Sequence, residues 1–233
     1  MNRDVIIACD FSSEEVLFKF LEKFDHLESK PYLKIGMEMY YSTGNYLVKT
    51  LKEKGYKIFL DLKLHDIPNT VKKAIKNLTK LNVEIINIHA AGTVKMMQAA
   101  MEGVNEAVAE GAKKPLVIAV TQLTSTDQNT LNNELLVQGE MKEVVKKYAA
   151  NAKEAGLDGI VCSVYEAPVA CELGLVSVTP GIRFATDSKD DQKRVATPEL
   201  AKELGSTFIV VGRSITGSEN PVEAYEKCLK EFL

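Results

Sequence analysis

The feature that most constrains the fold is a regular alternation of short apolar, β-branched runs with amphipathic segments of helical spacing, along the whole chain. This alternation is typical of a parallel β-sheet wrapped by helices. Eight such pairs occur in 233 residues, without a Gly/Ser-rich linker or a charge block between them. We therefore predict an α/β protein formed by a single (β/α)8 barrel (TIM barrel) domain that spans residues 1–233. The predicted strands are 5–9, 32–36, 58–63, 84–88, 116–120, 159–162, 175–178 and 207–211.

An open, doubly wound sheet is the alternative architecture. The first predicted strand is not followed by G-x-G-x-x-G, which weakens the dinucleotide-binding version of that fold. In a closed barrel the active site is built at the C-terminal ends of the strands, and here nearly every predicted strand ends in a polar residue. These residues are Asp10, Lys34, Asp61, Lys63, His89, Thr121 to Ser125, Ser163, Thr179 to Arg183, Gly212 and Arg213.

Composition argues against several other classes of protein. The net charge of −3 and the pI of about 5.8 do not fit a dedicated nucleic-acid binder, which normally has a basic surface. No apolar run approaches the roughly 20 residues that span a bilayer, and the run near the start is too short for a secretory signal. The four cysteines have neither C-x-x-C nor metal-binding spacing. We expect a cytoplasmic protein without a nucleic-acid or membrane partner.

The segment from Asp61 to Thr70, with the sequence DLKLHDIPNT, places three charges of alternating sign at the end of the third strand. If the strand continues to Lys63, its side-chain period of two puts Asp61 and Lys63 on the same face. Pro68 suits the first turn of a helix, so Asp66 is predicted in the turn between strand and helix. Buried charges are costly unless they pair or meet a ligand. A catalytic site and a structural ion-pair cluster both meet this condition.

Two glycine-containing turns with arginines follow the last two strands, PGIR at residues 180–183 and VGRS at residues 211–214. Barrels commonly hold a phosphate between the loops after strands seven and eight. Arginine binds phosphate oxygens in a bidentate way, and glycine lets backbone N–H groups approach the ligand. The turns favour a phosphorylated substrate held by Arg183 and Arg213. A helix-start glycine beside a solvated arginine is the alternative.

The histidines do not predict a metal site. His65 and His89 could be ligands or bases, but no second histidine stands at ligand spacing, and His26 falls in a surface helix or at its end. At the rim, Asp10 and Lys34 can form an ion pair, and the same groups can bind sugar hydroxyls. We expect no metal and no cofactor.

The charge of Lys63 indicates the class of reaction. A carboxylate about 4 Å from an ammonium stabilises it by roughly 4 kcal/mol at an effective dielectric constant near 20. If Asp61 and Asp66 both lie near Lys63, the amine stays protonated, whereas Schiff-base chemistry needs the neutral form. A held ammonium can deliver a proton to a carbanion, and a nearby carboxylate repels a substrate carboxylate until it leaves as CO2. The segment therefore favours decarboxylation.

Over essentially its whole length the chain resembles the orotidine 5'-phosphate decarboxylase family, of the bacterial type. The pattern D-x-K-x-x-D-I-P-N-T is highly specific in this context, although D-x-K-x-x-D alone also occurs in related barrels. The resemblance is carried by the segments ACD at 8–10, LKIG at 33–36, DLKLHDIPNT at 61–70, HAAG at 89–92, VTQLTS at 120–125, VTPGIR at 178–183 and VVGR at 210–213.

The resemblance implies a cofactor-free decarboxylation in which Lys63 protonates C6 of the pyrimidine and Asp61 lies beside the leaving carboxylate. It implies a homodimer in which Asp66, Ile67 and Thr70 reach into the site of the partner subunit. By the same resemblance, the remaining substrate contacts divide by position. Asp10 and Lys34 hold the ribose, Thr124 holds the pyrimidine edge, and Arg183, Gln192, Gly212 and Arg213 hold the phosphate end.

Two other functions stay open from the sequence. Related barrels with the same short motif are metal-dependent sugar-phosphate decarboxylases or aldolases, whose activity chelation would abolish. A catalytically silent phosphate-binding barrel would bind the nucleotide product without releasing CO2. The buried charges argue against a catalytically silent barrel, because a protein that only binds a ligand has little reason to keep buried charges near it.

Overall fold

The eight strands close into a parallel barrel in which each strand pairs with the next along the chain and the eighth pairs with the first. The structure is a computed structural model that describes residues 3–185 and 195–233. The closed (β/α)8 barrel predicted from the alternation is confirmed. The strands are β1 (Asp4–Ala8), β2 (Tyr32–Gly36), β3 (Ile58–Leu64), β4 (Ile85–His89), β5 (Leu116–Val120), β6 (Gly159–Val161), β7 (Val176–Thr179) and β8 (Phe208–Val211).

Helices cover the outside of the barrel between consecutive strands. The helices of the described residues are α1 (Glu14–Glu22), α2 (Met37–Thr43), α3 (Asn45–Glu53), α4 (Pro68–Thr79), α5 (Thr93–Ala109), α6 (Gln128–Asn133), α7 (Met141–Glu154), α8 (Ala167–Glu172), α9 (Pro198–Glu203), α10 (Arg213–Thr216) and α11 (Pro221–Phe232). None of the helices in the described ranges is both long and apolar enough to cross a membrane.

Two short helices, α6 and α10, have no periodic pattern in the sequence. The sequence offered no assignable pattern for residues 126–139, where α6 forms with the side chain of Asp127 accepting a hydrogen bond from the Thr130 N–H. A helix of six residues completes fewer than two turns, so it shows little periodicity. The same holds for α10, which begins at Arg213 itself.

The hydrophobic core has two layers because each strand is buried on both faces. Side chains that point into the barrel form a small inner cluster, while the alternate side chains pack outward against the helices. On β3, Phe59 belongs to the inner cluster and Ile58, Leu60 and Leu62 belong to the outer one. The inner apolar layer closes the floor beneath the strand ends. Its members include Ile6, Tyr32, Phe59, Ile85, Ile118, Val178, Phe208 and Val210.

Helices α4 and α5 pack closely and are also joined by a zigzag of ion pairs along their exposed sides. Among the described residues, five pairs of 2.7–3.0 Å link lysines of α4 and its C-terminal end to glutamates of α5 and its C-terminal end. Each exposed pair contributes little by itself, but the network favours one alignment of the two helices. The residues are Lys72, Lys76, Lys80, Glu102, Glu106 and Glu110.

We predict that Gly103→Ala destabilises the fold. A Cβ at Gly103 would overlap the backbone carbonyl oxygen of Lys72 and press on Ile75, so the two helices must separate. Overpacking of this kind costs about 1–3 kcal/mol, whereas alanine alone would favour a helix by about 1 kcal/mol over glycine. Urea unfolding followed by circular dichroism measures the change in the free energy of unfolding.

The matched control is Asn105→Ala, an exposed position on the same helix. It should change the free energy of unfolding by no more than about 0.5 kcal/mol. A Gly103→Ala variant as stable as the wild type would show that the close approach of α4 and α5 is not needed.

Candidate active site

A cavity of about 510 Å³ opens at the C-terminal ends of the strands. Its wall is drawn from β1, β2, β3, β5, β6, β7 and β8 or the turns that follow them, so no single loop creates it. The structure brings most of the residues predicted for the site into this wall. They are Asp10, Lys34, Asp61, Lys63, Thr124, Arg183, Gly212 and Arg213.

Four of these side chains form a chain of alternating charge across one side of the cavity. The Lys34 ammonium lies 2.9 Å from Asp10 Oδ1 and 3.3 Å from Asp61 Oδ2. The Lys63 ammonium lies 2.7 Å from the other oxygen, Asp61 Oδ1. Asp61 is therefore held between two ammonium groups, each on its own carboxylate oxygen. The ion pair expected at the rim between Asp10 and Lys34 is confirmed.

The electrostatics of the chain keep Asp61 ionised. Burial raises the pKa of this carboxyl, but Lys34 and Lys63, with hydrogen bonds from Lys63 and Asn87, lower it by more, so the pKa lies below its usual value. Burial likewise lowers the pKa of Lys34, and the charges of Asp61 and Asp10 more than offset this, so its pKa is raised. A charged carboxylate and a charged ammonium thus coexist in a largely buried setting.

The strand that carries Asp61 and Lys63 is irregular. Both side chains face the cavity, as the period of two predicts, but Lys63 has a φ of 51°, in the left-handed region. The pairing of β3 with β4 shifts register between Leu60 and Leu64, so the regular strand assumed from the sequence is wrong at this point. A left-handed conformation costs a non-glycine residue about 1–2 kcal/mol, and strain of this kind is concentrated at functional sites.

Three residues predicted for the site lie outside the cavity. Asp66, Ile67 and Thr70 are exposed in the turn and at the start of α4, and Ile67 keeps 68% of its surface accessible. Asp66 Oδ1 accepts a hydrogen bond of 2.6 Å from the Ile67 N–H. Within the described part of the chain, no ion pair joins Asp66 to Lys63, so the expectation that Lys63 sits between Asp61 and Asp66 is wrong for a single subunit. The second cation beside Asp61 is Lys34.

The part of the cavity wall that follows β7 and β8 carries the two predicted arginines. Arg183 is buried, with 7% of its surface accessible, and its Nη1 donates a hydrogen bond of 2.9 Å to the Ile182 carbonyl. Arg213 follows Gly212 at the end of β8 and begins α10. Backbone pairing of Ile182 with Ala196 holds the turn after β7 in place. Gln192, predicted for the same end, lies outside the described residues.

The two histidines of the strand ends stack on each other beside the charged chain. The rings of His65 and His89 lie 5.3 Å apart with 21° between their planes. Burial, followed by the neighbouring His65 and the charge of Lys63, lowers the pKa of His89, which keeps its ring neutral at neutral pH. In the described ranges no group of three or more His, Cys, Asp or Glu residues is arranged to hold a metal ion.

One polar residue of the site was missed from the sequence, and a second was predicted only as part of a range. Asn87 is fully buried on β4, where its amide contacts both Asp61 and Lys63. Gln122 lines the cavity after β5 with 7% of its surface accessible, and its carboxamide makes no hydrogen bond to the described residues. A signal existed for Asn87, because an amide within the apolar run IINI must find a partner when buried. Gln122 belonged to the predicted strand-end range Thr121 to Ser125, but nothing in that polar stretch distinguished it from its neighbours.

The fold and the site together define a class of protein. A (β/α)8 barrel with its polar groups gathered at the C-terminal strand ends is the architecture of barrel enzymes. Here the cavity joins a buried carboxylate and two ammonium groups at one side with two arginines at the other. We therefore place the protein among barrel enzymes that act on small anionic substrates.

The chain belongs to the orotidine 5'-phosphate decarboxylase / HUMPS family, whose model matches residues 3–228. It is 52% identical to the orotidine 5'-phosphate decarboxylase of Geobacillus sp. (strain WCH70) over 235 aligned residues, covering 100% of this chain and 98% of the relative. The enzyme of the same name from Bacillus cereus (strain Q1) is 51% identical, again with 100% and 98% covered. The family resemblance noted in the sequence is thus confirmed.

Solved structures agree with this placement. The crystal structure of orotidine 5'-phosphate decarboxylase from Lactobacillus acidophilus is 41% identical, with a TM-score of 0.87 and 99% of each chain covered. The orotidine 5'-monophosphate decarboxylase from Methanocaldococcus jannaschii, crystallised with the inhibitor BMP, has a TM-score of 0.76. It covers 100% of this chain and 99% of its own, and at 21% identity it supports the fold alone.

We predict that Asp61→Asn lowers the free energy of unfolding by roughly 3 kcal/mol at neutral pH, because Lys34 and Lys63 lose the charge between them. The folded pKa of Asp61 is depressed, so its stabilising effect is present above its unfolded pKa, near 4, and is lost as the pH falls through the folded pKa. The difference between wild type and variant should therefore shrink only below about pH 4. Urea unfolding between about pH 3 and about pH 8 measures it.

The control is Asp25→Asn, an exposed carboxylate without an ion pair in the described part of the chain. It should change the free energy of unfolding by less than about 0.5 kcal/mol over the same range. A gap between wild type and Asp61→Asn that stays constant to the lowest pH would contradict the proposed origin of the stabilisation.

Proposed function

We propose that the protein is a carboxy-lyase that converts orotidine 5'-phosphate to UMP and CO2 without a cofactor, the last step of de novo UMP biosynthesis in the cytoplasm. Membership of the family and close relatives that carry this name support the substrate and the reaction. The observation that carries the mechanism is the placement of the Lys63 ammonium 2.7 Å from Asp61 in the wall of the cavity. In this proposal residues 1–233 act as one catalytic barrel domain.

The reaction follows from the charges of this pair. The substrate carboxylate would lie beside Asp61, where repulsion between two carboxylates favours loss of CO2. As the bond between C6 and the carboxylate breaks, its electron pair stays on C6. The Lys63 ammonium donates a proton to C6, and the neutral amine then takes a proton from water. The ion pair with Asp61 holds the ammonium in place until it is used.

Binding far from C6 would supply part of the catalytic energy. We assign the ribose hydroxyls to Asp10 and Lys34 and the pyrimidine edge to Thr124, and all three residues line the cavity. Interactions with the unreacting phosphate can hold the site in its closed form and so lower the barrier as well as tighten binding. We assign this role to Arg183, Gln192, Gly212 and Arg213.

We propose further that the working unit is a homodimer. Asp66, Ile67 and Thr70 project from the exposed turn at the rim, outside the cavity of their own subunit. An apolar side chain as exposed as Ile67 at this position suits burial against a second copy of the chain. In the dimer, the Asp66 carboxylate would complete the charge chain next to the Lys63 of the other subunit.

We predict that the purified protein releases CO2 from orotidine 5'-phosphate in the presence of excess chelator, and that Lys63→Ala abolishes turnover while keeping affinity for UMP. The phosphate and ribose contacts do not involve the ammonium. CO2 release and calorimetric titration with UMP measure the two properties. The exposed Lys73→Ala serves as the matched control and should turn over normally.

Each alternative outcome has a meaning. Activity lost with chelator and restored by a divalent ion would indicate a metal-dependent barrel enzyme instead. UMP binding without CO2 release by the wild type would indicate a silent binder. Near-normal turnover by Lys63→Ala would remove that residue as the acid.

We predict that mixing two inactive variants, Lys63→Ala and Asp66→Asn, restores activity when their subunits exchange. A heterodimer has one intact site, made from Lys63 of one subunit and Asp66 of the other. With random pairing the recovery should approach about a quarter of the wild-type rate per subunit. Steady-state assays after denaturation and joint refolding measure it.

The control mixture pairs Lys63→Ala with the double variant Lys63→Ala/Asp66→Asn, which leaves no intact site in any dimer. It should stay inactive. Heterodimers verified by mass spectrometry that remain inactive in the first mixture would contradict the shared site.

A further inference from the structure

Asn87 occupies the position on β4 that lies opposite the irregular part of β3. The two strands pair at Leu60 with Ile86 and again at Leu64 with Ile88. Between these points β3 has three residues, 61 to 63, and β4 has one, Asn87. The side chain of Asn87 is fully buried and points toward the barrel interior, because its neighbours Ile86 and Ile88 pack outward. Asn87 is therefore the residue of β4 that faces the extra residues of β3 and can bond to their polar groups.

The amide of Asn87 makes two hydrogen bonds, one to each member of the catalytic pair proposed above. Its Nδ2 donates to Asp61 Oδ1 at 2.6 Å, and its Oδ1 accepts from the Lys63 backbone N–H at 2.7 Å. A carboxylate cannot donate and a backbone N–H cannot accept, so the two contacts fix the amide orientation without ambiguity. Both ends of the side chain are used.

The two contacts control different properties of the pair. The bond to Asp61 falls on the same oxygen that binds the Lys63 ammonium, so it limits rotation of the carboxylate and helps keep it charged. The bond to the Lys63 N–H satisfies a backbone donor in the left-handed residue of the bulge. Together the two bonds fix the orientation of the Asp61 carboxylate and the backbone position from which the Lys63 side chain extends.

We propose that Asn87 is a positioning residue for decarboxylation, which sets the geometry of Asp61 and Lys63 without touching the substrate. This inference rests on the proposed function. No single charged or apolar side chain replaces it: leucine satisfies neither group, and ionised aspartate accepts from Lys63 but repels Asp61. A protonated aspartic acid matches the asparagine in shape and can both donate and accept.

Asn87→Asp therefore distinguishes positioning from simple packing. In the ionised form kcat should fall roughly 100-fold, as expected when reacting groups are displaced. KM should change by less than about threefold, because the arginine end of the cavity is unaltered. As the pH falls from about 8 to about 5, the ratio of variant kcat to wild-type kcat should rise at least about tenfold, because two adjacent carboxyls share a proton readily.

Other titratable groups face the same place, and the experiment must separate them. Lys63 and Asp61 lie on β3, Lys34 on β2 and His89 on β4, with Asp10 and His65 at neighbouring strand ends. All are present in the wild type as well, so the ratio removes their wild-type titration and reports the change that the new carboxyl causes, including its coupling to Asp61. The matched control is Asn105→Asp, the same chemical change at an exposed site of α5, whose ratio should stay near one at every pH.

The test measures kcat and KM for orotidine 5'-phosphate across this pH range for the wild type, Asn87→Asp and Asn105→Asp, with UMP titration as a check of binding. A kcat ratio for Asn87→Asp that is near one, or low but independent of pH, overturns the inference. A wild type that releases no CO2 overturns the proposed function instead. If Asn87→Asp does not fold, Asn87→Ser is measured instead. A kcat loss above about tenfold with KM within about threefold supports the positioning role, and an unchanged kcat overturns it.

Discussion

The placement of Asp61 between Lys34 and Lys63 is the interaction on which the rest of the site depends. A carboxylate this deeply buried is stable only because each oxygen faces an ammonium group and an amide supports one of them. The groups come from three neighbouring strands, so β2, β3 and β4 must pair before the charges can compensate one another. The register of these three strands therefore sets the geometry of the buried charges.

The barrel separates the groups proposed for chemistry from those proposed for anchoring. The charged chain occupies the side built by β1 to β3, and the arginines occupy the side built after β7 and β8. Because β8 pairs with β1, the two sides are joined by backbone hydrogen bonds and not by flexible connections. In the proposed reaction, binding energy released where the arginines hold the phosphate would act on the reacting groups through this paired wall.

Much of this arrangement followed from the sequence. The eight alternations predicted the closed barrel, and the period of two correctly placed Asp61 and Lys63 on one face. The left-handed backbone at Lys63 was not predicted, because the alternation of side chains does not show where a strand carries extra residues relative to its neighbour. Residues 126–139 contain a short helix, capped by Asp127, that their sequence pattern did not predict. Asp66 was expected beside Lys63, but its side chain is exposed and accepts a hydrogen bond from the Ile67 N–H, a local turn contact that side-chain alternation does not predict.

The left-handed backbone at Lys63 also limits how this position can change over evolution. Glycine would relieve the strain at that residue, yet it would remove the ammonium. Arginine would keep both the strain and a positive charge, but its guanidinium does not release a proton readily. Stability and activity therefore pull in opposite directions at one residue. Under the role proposed for Lys63, a related barrel with glycine at this position would have a relaxed backbone there and would lack the proton donor for decarboxylation.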